Sequence, residues 1–312
     1  QLGGCPLGSL GIPEFGTDFV IQMLVDTKPQ SFSDLVRISG LSHGTDVWLG
    51  NAQTLIQEGK ATISTAICTR DDIMTYLIGK GLDSEEAFTI MERVRKGAVA
   101  NGKCKEWPEY KQDMLDHGVP DWYVWSCEKI KYMFPKAHAA AYVMMAWRVA
   151  YCKVFYPLAY YCAYFSIRAD AFDYEKMAMG RERLEYYLDM YKSKKADGTI
   201  EKTELDEYKD MRIVQEMYAR GYEFTPIDIY KAKARSFQII DGKIMPSFKV
   251  VSKIGESAGE SIEIAARDGK FLSKDDLRQR ARIGQTVIEK LSELKLLDGM
   301  AESNQLSLFD VI

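Results

Sequence analysis

The longest helical pattern of the chain spans residues 134–165 and reads FPKAHAAAYVMMAWRVAYCKVFYPLAYYCAYF. Small and apolar residues continue through it for several turns, with charges at Arg148 and Lys153 and a proline at Pro157. A membrane-spanning helix needs about 18 or more nearly uncharged residues, and a charge inside a bilayer is costly. We therefore expect a long buried helix with a kink near Pro157, and no membrane span.

Helical patterns also dominate the sequence around this stretch. Apolar residues recur at helical spacing in residues 15–25, 32–40, 46–58, 71–79 and 83–95. Charged helices are expected between Tyr174 and Arg220, and Asp241-Gly242 between apolar runs indicates a β-hairpin. Two helical pairs follow, near residues 253–268 and 274–297. The expected fold class is mainly α: a multi-domain helical fragment with one small β-hairpin.

Composition excludes several kinds of protein. The six cysteines form no C-x-x-C pair, which argues against a zinc ribbon and a disulfide scaffold and favours a reducing, cytoplasmic setting. The three histidines share no metal-ligand spacing with them, so we predict no metal held by this chain. No secretory signal precedes the first helix, and the opening residue Gln1 suggests a fragment or a processed chain.

Positive charge is concentrated in one window despite a net charge of −4. Residues 128–168 hold six basic side chains against the single acid Glu128, and phosphate binding needs such local positive potential. The acidic stretch 170–216 is interpreted as a solvated helical face. We therefore expect the long helix to carry a basic patch.

The start of the long helix combines features suited to a nucleotide. Pro135 presets the first turn, so the free N–H groups near Lys136 to His138 should point outward and attract phosphate. Tyr132 and Phe134 offer flat faces on which a base could stack. The alternative is that both rings belong to the core and that His138 is a satisfied buried histidine.

The same residues resemble a known family. The stretch 134–165 looks like the fingers segment of the bacterial replicative DNA polymerases of family C. Upstream, LGIPEFGTDFVIQML and LVRISGLSHGTDVWLGN are similar to its PolC branch, since the other branch carries an Arg-Pro-Gly element where this chain has residues 42–45. Gly40 and Gly44, beside Ser39 and His43, allow close backbone approach to a ligand; a capped helix junction with a structural histidine is the alternative.

The resemblance covers nearly the whole chain and implies a domain order. Residues 1–12 connect from a missing palm and residues 13–170 form the fingers. Residues 171–245 supply connecting helices and the β-hairpin, residues 246–300 form tandem helix-hairpin-helix units that bind duplex DNA, and residues 301–312 are a clamp-binding tail. Incoming dNTP is expected to meet a set of fingers residues: Ser39, His43, Tyr132, Phe134, Lys136 and His138.

The first expected helix-hairpin-helix unit departs from the family pattern. Its hairpin usually has two glycines around one apolar residue, yet Lys253-Ile254-Gly255 keeps only one, and Glu256 and Glu260 lie nearby. A role in packing therefore stays open beside the grip on a backbone phosphate. The candidates for DNA contacts are Arg148, Lys153, Lys249, Lys253, Gly255, Arg278, Arg280 and Arg282.

The C-terminal sequence resembles the clamp-binding pentapeptide of bacterial polymerases. It consists of Gln305, Leu306, Ser307, Leu308 and Phe309. A short extended segment can place the glutamine amide in a polar notch and the last two side chains in an apolar pocket at low ordering cost. A tail that folds back on its own core is the alternative.

The sequence shows no set of carboxylates suited to nucleotidyl transfer. That chemistry needs acids that hold two divalent ions about 4 Å apart. The pairs Asp71-Asp72 and Asp275-Asp276 are interpreted as helix-start residues, because adjacent side chains on a helix diverge. We therefore predict no catalytic residue and no cofactor in this chain, with Mg²⁺ in the complete polymerase and no activity of the fragment alone.

The resulting hypothesis is the C-terminal portion of a replicative DNA polymerase. Its expected partners are the DNA template-primer, dNTP, the sliding clamp (beta subunit) and the palm and exonuclease domains of the same polymerase, at the replication fork in the cytoplasm. Two other readings stay open: a stand-alone DNA-binding or clamp-tethered accessory protein, and an independent hydrolase built on Cys152 or Cys127 with His138, which lacks a nucleophile motif.

Overall fold

Helices make up most of the structure, a computed structural model that describes residues 5–304. One antiparallel hairpin is formed by β1 (Gln238–Ile240) and β2 (Lys243–Met245). The helices are α1 (Asp18–Thr27), α2 (Phe32–His43), α3 (Gln53–Gln57), α4 (Arg70–Gly79), α5 (Ser84–Arg95), α6 (Trp107–Asp116), α7 (Asp121–Lys129), α8 (Lys136–Phe155), α9 (Pro157–Ile167), α10 (Tyr174–Met177), α11 (Arg181–Ala196), α12 (Lys202–Ala219), α13 (Glu256–Arg267), α14 (Lys274–Ala281) and α15 (Gln285–Glu293). The expected mainly α fold class is confirmed.

Side-chain caps explain where many helices begin. Ser31 and Asp34 form a capping box at the start of α2, and the Asp83 carboxylate accepts hydrogen bonds from two backbone N–H groups at the start of α5. Ser273 caps α14 in the same manner. Each such cap stabilises its helix by about 1 kcal/mol because it satisfies N–H groups that have no partner within the helix.

The chain divides into two compact units, and the division falls within α8. The first unit consists of residues 11–150, and the second of residues 5–10 together with 151–304 of the described chain. We expected the fingers to end at residue 170, which does not coincide with the division between residues 150 and 151. The fingers boundary stays a prediction.

In the first unit, α4 packs against α5, α1 against α2 and α6 against α7. The helix expected over residues 46–58 is interrupted, because Leu49, Gly50 and Asn51 leave the helical region. The buried Asn51 side chain donates to the carbonyls of Asp46 (2.9 Å) and Ser126 (3.2 Å) and so secures the irregular turn. Only α3 of that expected helix is regular.

The second unit has an aromatic core. Four phenylalanines pack with ring centroids 5.1–6.4 Å apart, namely Phe165, Phe172, Phe224 and Phe237. The β-hairpin packs against α9, and Asp241 and Gly242 have φ values of 49° and 76°, as a two-residue hairpin turn requires. The hairpin expected at this dipeptide is confirmed.

The long helical pattern becomes two helices instead of one kinked helix. Helix α8 ends at Phe155, and Pro157 is the first residue of α9. The expectation of a buried helix is wrong: Val143 and Ala146 are buried, whereas Trp147, Tyr151 and Phe155 are more than half exposed. Among the described residues, no helix has the length and apolar character needed to cross a membrane.

Candidate nucleotide-binding and DNA-binding sites

Backbone pairing brings the residues after α2 alongside the entry to α8. Thr45 and Tyr132 form an antiparallel bridge, in which the Thr45 N–H donates to the Tyr132 carbonyl at 2.9 Å. A Cβ atom on Gly44 would lie 2.9 Å from that carbonyl, and one on Gly40 would lie 2.6 Å from the Cys68 carbonyl. The two glycines therefore allow close approach of other backbone segments of this protein. This corrects the expectation that they allow close approach of a ligand.

Four side chains form a continuous aromatic row at the start of α8, defined as Tyr132, Phe134, His138 and Tyr142. Successive ring centroids lie 5.1, 5.2 and 4.6 Å apart. The two outer tyrosines are each 44% exposed, so their faces are available to a planar group from solvent. The alternative that Tyr132 belongs to the core is wrong, and Phe134 is half-buried.

His43 joins the aromatic row from the side. Its ring centroid lies 5.8 Å from Phe134 and 6.4 Å from His138. Its Nδ1 lies 2.6 Å from the Ser39 carbonyl, and its Nε2 lies 2.8 Å from Oε2 of Glu14. The Ser39 side chain is buried, which corrects its place in the nucleotide set: Ser39 contributes a carbonyl to His43.

The N-terminus of α8 is already capped. The Lys136 N–H donates to Oδ2 of Asp71 at 2.6 Å, and the Lys136 ammonium lies 4.0 Å from Asp72. This contact corrects the expectation of outward, unpaired N–H groups at Lys136. The Lys136 side chain is still 46% exposed, so it remains accessible to an anion beside the aromatic row.

The acid pairs do not have the arrangement of a two-metal site. Asp72 accepts backbone hydrogen bonds from Cys68 (3.2 Å) and Thr69 (2.8 Å), and Asp276 accepts one from Leu272 (2.9 Å). Their interpretation as helix-start residues is confirmed, with the addition that Asp71 caps a second helix. Within the described part of the chain, no three His, Cys, Asp or Glu side chains are grouped to hold a metal.

Two hairpins in the second unit share one backbone pattern. Lys253 (φ 66°) and Arg282 (φ 50°) occupy left-handed positions, and a buried isoleucine follows each. Gly255 or Gly284 is then the N-cap residue of the next helix. Lys253 therefore keeps the backbone conformation that the family glycine would have. The first residue of α13 is Glu256, which pairs with Arg235, whereas the first residue of α15 is the uncharged Gln285.

The remaining DNA candidates differ in their placement. Arg148, Lys249 and Arg278 are exposed. Two predictions need correction, because Lys153 is only 4% exposed and Arg280 donates to the carbonyls of Lys270, Ala265 and Gly269. Residues 305–309, which we predicted to bind the clamp, lie outside the described residues.

Lys153 belongs to a buried polar network. Its ammonium donates to the carbonyls of Gly8 (2.9 Å) and Leu10 (2.6 Å) and lies 2.7 Å from the Glu216 carboxylate. The Tyr161 hydroxyl donates to the same carboxylate at 2.5 Å. Burial lowers the pKa of Lys153, and the facing Glu216 opposes that effect. All three ammonium protons are therefore occupied within the protein.

Two family models match parts of this chain. A family model described as bacterial DNA polymerase III alpha subunit finger domain matches residues 7–118, and one described as helix-hairpin-helix motif matches residues 221–306. A DNA polymerase III PolC-type of Streptococcus suis is 52% identical over 98% of this chain. The resemblance to the PolC-type DNA polymerase III is confirmed.

Other PolC-type polymerases are similar to the same extent. Those of Streptococcus pneumoniae serotype 2 and Streptococcus agalactiae serotype III are each 50% identical over 98% of this chain. In all three comparisons the chain covers 21% of the relative. The chain thus spans about a fifth of the length of these PolC-type relatives.

Three residues that contact the candidate nucleotide site, Tyr142, Asp71 and Glu14, were not among the site residues predicted from the sequence. Tyr142 follows His138 by one helical turn, and that spacing was a usable signal. Asp71 and Glu14 had no such signal, because they reach Lys136 and His43 across 65 and 29 residues of chain. Their roles appear only in the folded structure.

Proposed function

We propose that this chain is the C-terminal portion of a PolC-type replicative DNA polymerase. In this proposal it binds the incoming dNTP through its fingers, the template-primer duplex through its helix-hairpin-helix units, and the sliding clamp through residues 305–309. The complete polymerase would act at the replication fork in the cytoplasm with Mg²⁺ held by its palm, and the fragment alone would be inactive.

The observation that carries the proposal is the aromatic row with a cation beside it. A nucleobase can stack on the exposed ring of Tyr132 or Tyr142, and such stacking is worth about 1–3 kcal/mol per base. The exposed ammonium of Lys136 flanks the row and suits the triphosphate, while His43 packs against the row from the side. The patch thus offers an aromatic surface to the base and a cation to the triphosphate of the same nucleotide.

The fingers assignment is tested in the complete polymerase with Tyr132→Ala and Lys136→Ala. Each variant is expected to raise the KM for dNTP by about tenfold, because one stacking or charged contact is lost. Lys60→Ala is the matched control, since Lys60 is an exposed lysine of the same unit that pairs with Glu58. An unchanged KM in both test variants would remove the nucleotide assignment.

The clamp assignment is tested by deleting residues 305–309 and titrating the clamp against each chain. We expect the deletion to abolish measurable clamp binding, because the pentapeptide supplies the anchoring side chains. Substitution of Leu308 and Phe309 by Ala should reproduce that loss with the tail length unchanged. Binding retained by both variants would show that the clamp uses another surface.

A further inference from the structure

We propose that Glu14 is a positioning residue, which orients His43 beside the aromatic row and thereby supports nucleotide binding. The proposal rests on the proposed function of that row. Oε2 of Glu14 lies 2.8 Å from Nε2 of His43, although Glu14 lies in a turn before α1 and His43 is the last residue of α2. Neither residue needs to touch the reacting atoms for this role.

The histidine ring is held at both of its nitrogens. Nδ1 lies 2.6 Å from the Ser39 carbonyl oxygen, and Nε2 lies 2.8 Å from Oε2 of Glu14. The Ser42 hydroxyl adds a second contact to Nδ1 at 3.2 Å. Glu14 holds the opposite nitrogen, so the carbonyl and the carboxylate together determine the plane of the ring.

The orientation of the His43 ring determines its contact with the aromatic row. His43 meets Phe134 edge-on, at an interplanar angle of 73°, and Phe134 in turn stacks on His138 at 23°. A rotated His43 ring would lose this edge contact with Phe134. The orientation of His43 is therefore coupled to the stack that is proposed to receive a base.

The Glu14 side chain is committed to this contact. It is 13% exposed, and its Oε2 is buried with no hydrogen-bond partner among the described residues apart from the His43 approach. Its backbone has φ 70°, a left-handed conformation that glycine or asparagine adopts at lower cost.

The inference is tested in the complete polymerase with Glu14→Gly and Glu14→Gln. Glycine suits the left-handed backbone and removes the carboxylate, so we expect a rise in the KM for dNTP of about fivefold to tenfold, with kcat and template-primer affinity changed less than about twofold. Glutamine keeps an oxygen near Nε2 and should restore a KM within about twofold of the parent. Glu14→Asn, also suited to φ 70° but one carbon shorter, should behave as Glu14→Gly does.

Lys28→Gly is the matched control for the backbone change. Lys28 has φ 46°, is exposed, and lies in the same unit without contacting His43, so this variant should leave the KM unchanged. Melting temperatures of all variants establish that the fold is retained. If Lys28→Gly raised the KM for dNTP as much as Glu14→Gly does, the inference would be overturned.

A double-mutant cycle separates the two proposals. If Glu14 acts through His43, Glu14→Gly has no further effect in a His43→Ala polymerase. An equal effect in both backgrounds, or no effect of Glu14→Gly where His43→Ala alone raises the KM, overturns the positioning role only. If His43→Ala itself leaves the KM unchanged, the part of His43 in the proposed nucleotide site fails as well.

Discussion

Asp71 and Lys136 are joined by a hydrogen bond of 2.6 Å, in which a side chain at the start of α4 caps the start of α8. The same acid pair serves two helices, because the neighbouring Asp72 caps α4 itself. This arrangement anchors the aromatic row to the body of the first unit. It also places a carboxylate where an unoccupied helix terminus was expected to receive phosphate.

The first prediction concerns this cap. Asp71→Ala is expected to lower the free energy of unfolding by about 1 kcal/mol, because the Lys136 N–H loses its partner. Urea denaturation measures the loss. Glu85→Ala is the control, since Glu85 also lies in the first turn of a helix but is exposed; equal losses in the two variants would contradict a specific role of Asp71.

The second prediction concerns the close approach at Gly40. A Cβ atom there would lie 2.6 Å from the Cys68 carbonyl, so Gly40→Ala is expected to destabilise the protein by about 1–3 kcal/mol. Gly79→Ala is the matched control, because Gly79 is helical and has no atom within 4 Å of the added carbon. The control should be neutral or slightly stabilising, and a stable Gly40→Ala protein would refute the argument.

The third prediction concerns the pH dependence of stability. Burial raises the pKa of Asp210 from its usual 3.8 to about 7, although the carboxylate accepts a hydrogen bond from the Ala171 N–H. The folded protein therefore binds this proton more tightly than the unfolded chain, and stability falls as the pH rises from about 4 to about 7. Asp210→Asn should flatten that decline by about 1–3 kcal/mol.

Denaturation curves at about pH 4.5 and about pH 8 measure the effect, because most of the decline lies between these two values. The exposed Asp189→Asn in α11 is the control and should leave the decline unchanged. A parallel decline in Asp210→Asn and in the parent would assign the pH dependence to other groups.

The fourth prediction contrasts two cations of α8. Lys153→Met leaves the buried Glu216 without its cation and is expected to cost about 3–5 kcal/mol of stability. Arg148→Met changes an exposed side chain and should cost less than about 0.5 kcal/mol while weakening DNA binding. A stable Lys153→Met protein with weakened DNA binding would restore our original assignment of Lys153.

The fifth prediction concerns the two hairpins of the second unit. Arg282→Gly and Lys253→Gly both suit their left-handed backbone, so each removes a cation without straining the turn. We expect Arg282→Gly to weaken duplex DNA binding more, with the salt dependence reduced by about one counterion, because Glu256 repels phosphate at the first hairpin only. Equal losses across a salt titration would show that Glu256 has no such effect.

Local sequence signals determined the elements of this protein. Caps, helical periodicity and turn dipeptides act between residues a few positions apart, so α2, α4, α5 and the hairpin at Asp241-Gly242 could be predicted. The resemblance to PolC-type polymerases added which side chains to look for near the start of α8. The placement of most of those side chains in one patch, with Tyr132 and Tyr142 exposed, agrees with that expectation.

Only the tertiary structure decided which charged side chains already have a partner within the protein. Lys153 carries the same charge as Arg148 in the sequence, yet one is buried against Glu216 and the other faces solvent. Asp71 and Glu14 find their partners in distant segments, and nothing in the neighbouring residues indicates them. The physical reason is that burial and long-range pairing depend on how separate helices pack, whereas caps and periodicity depend on a single segment.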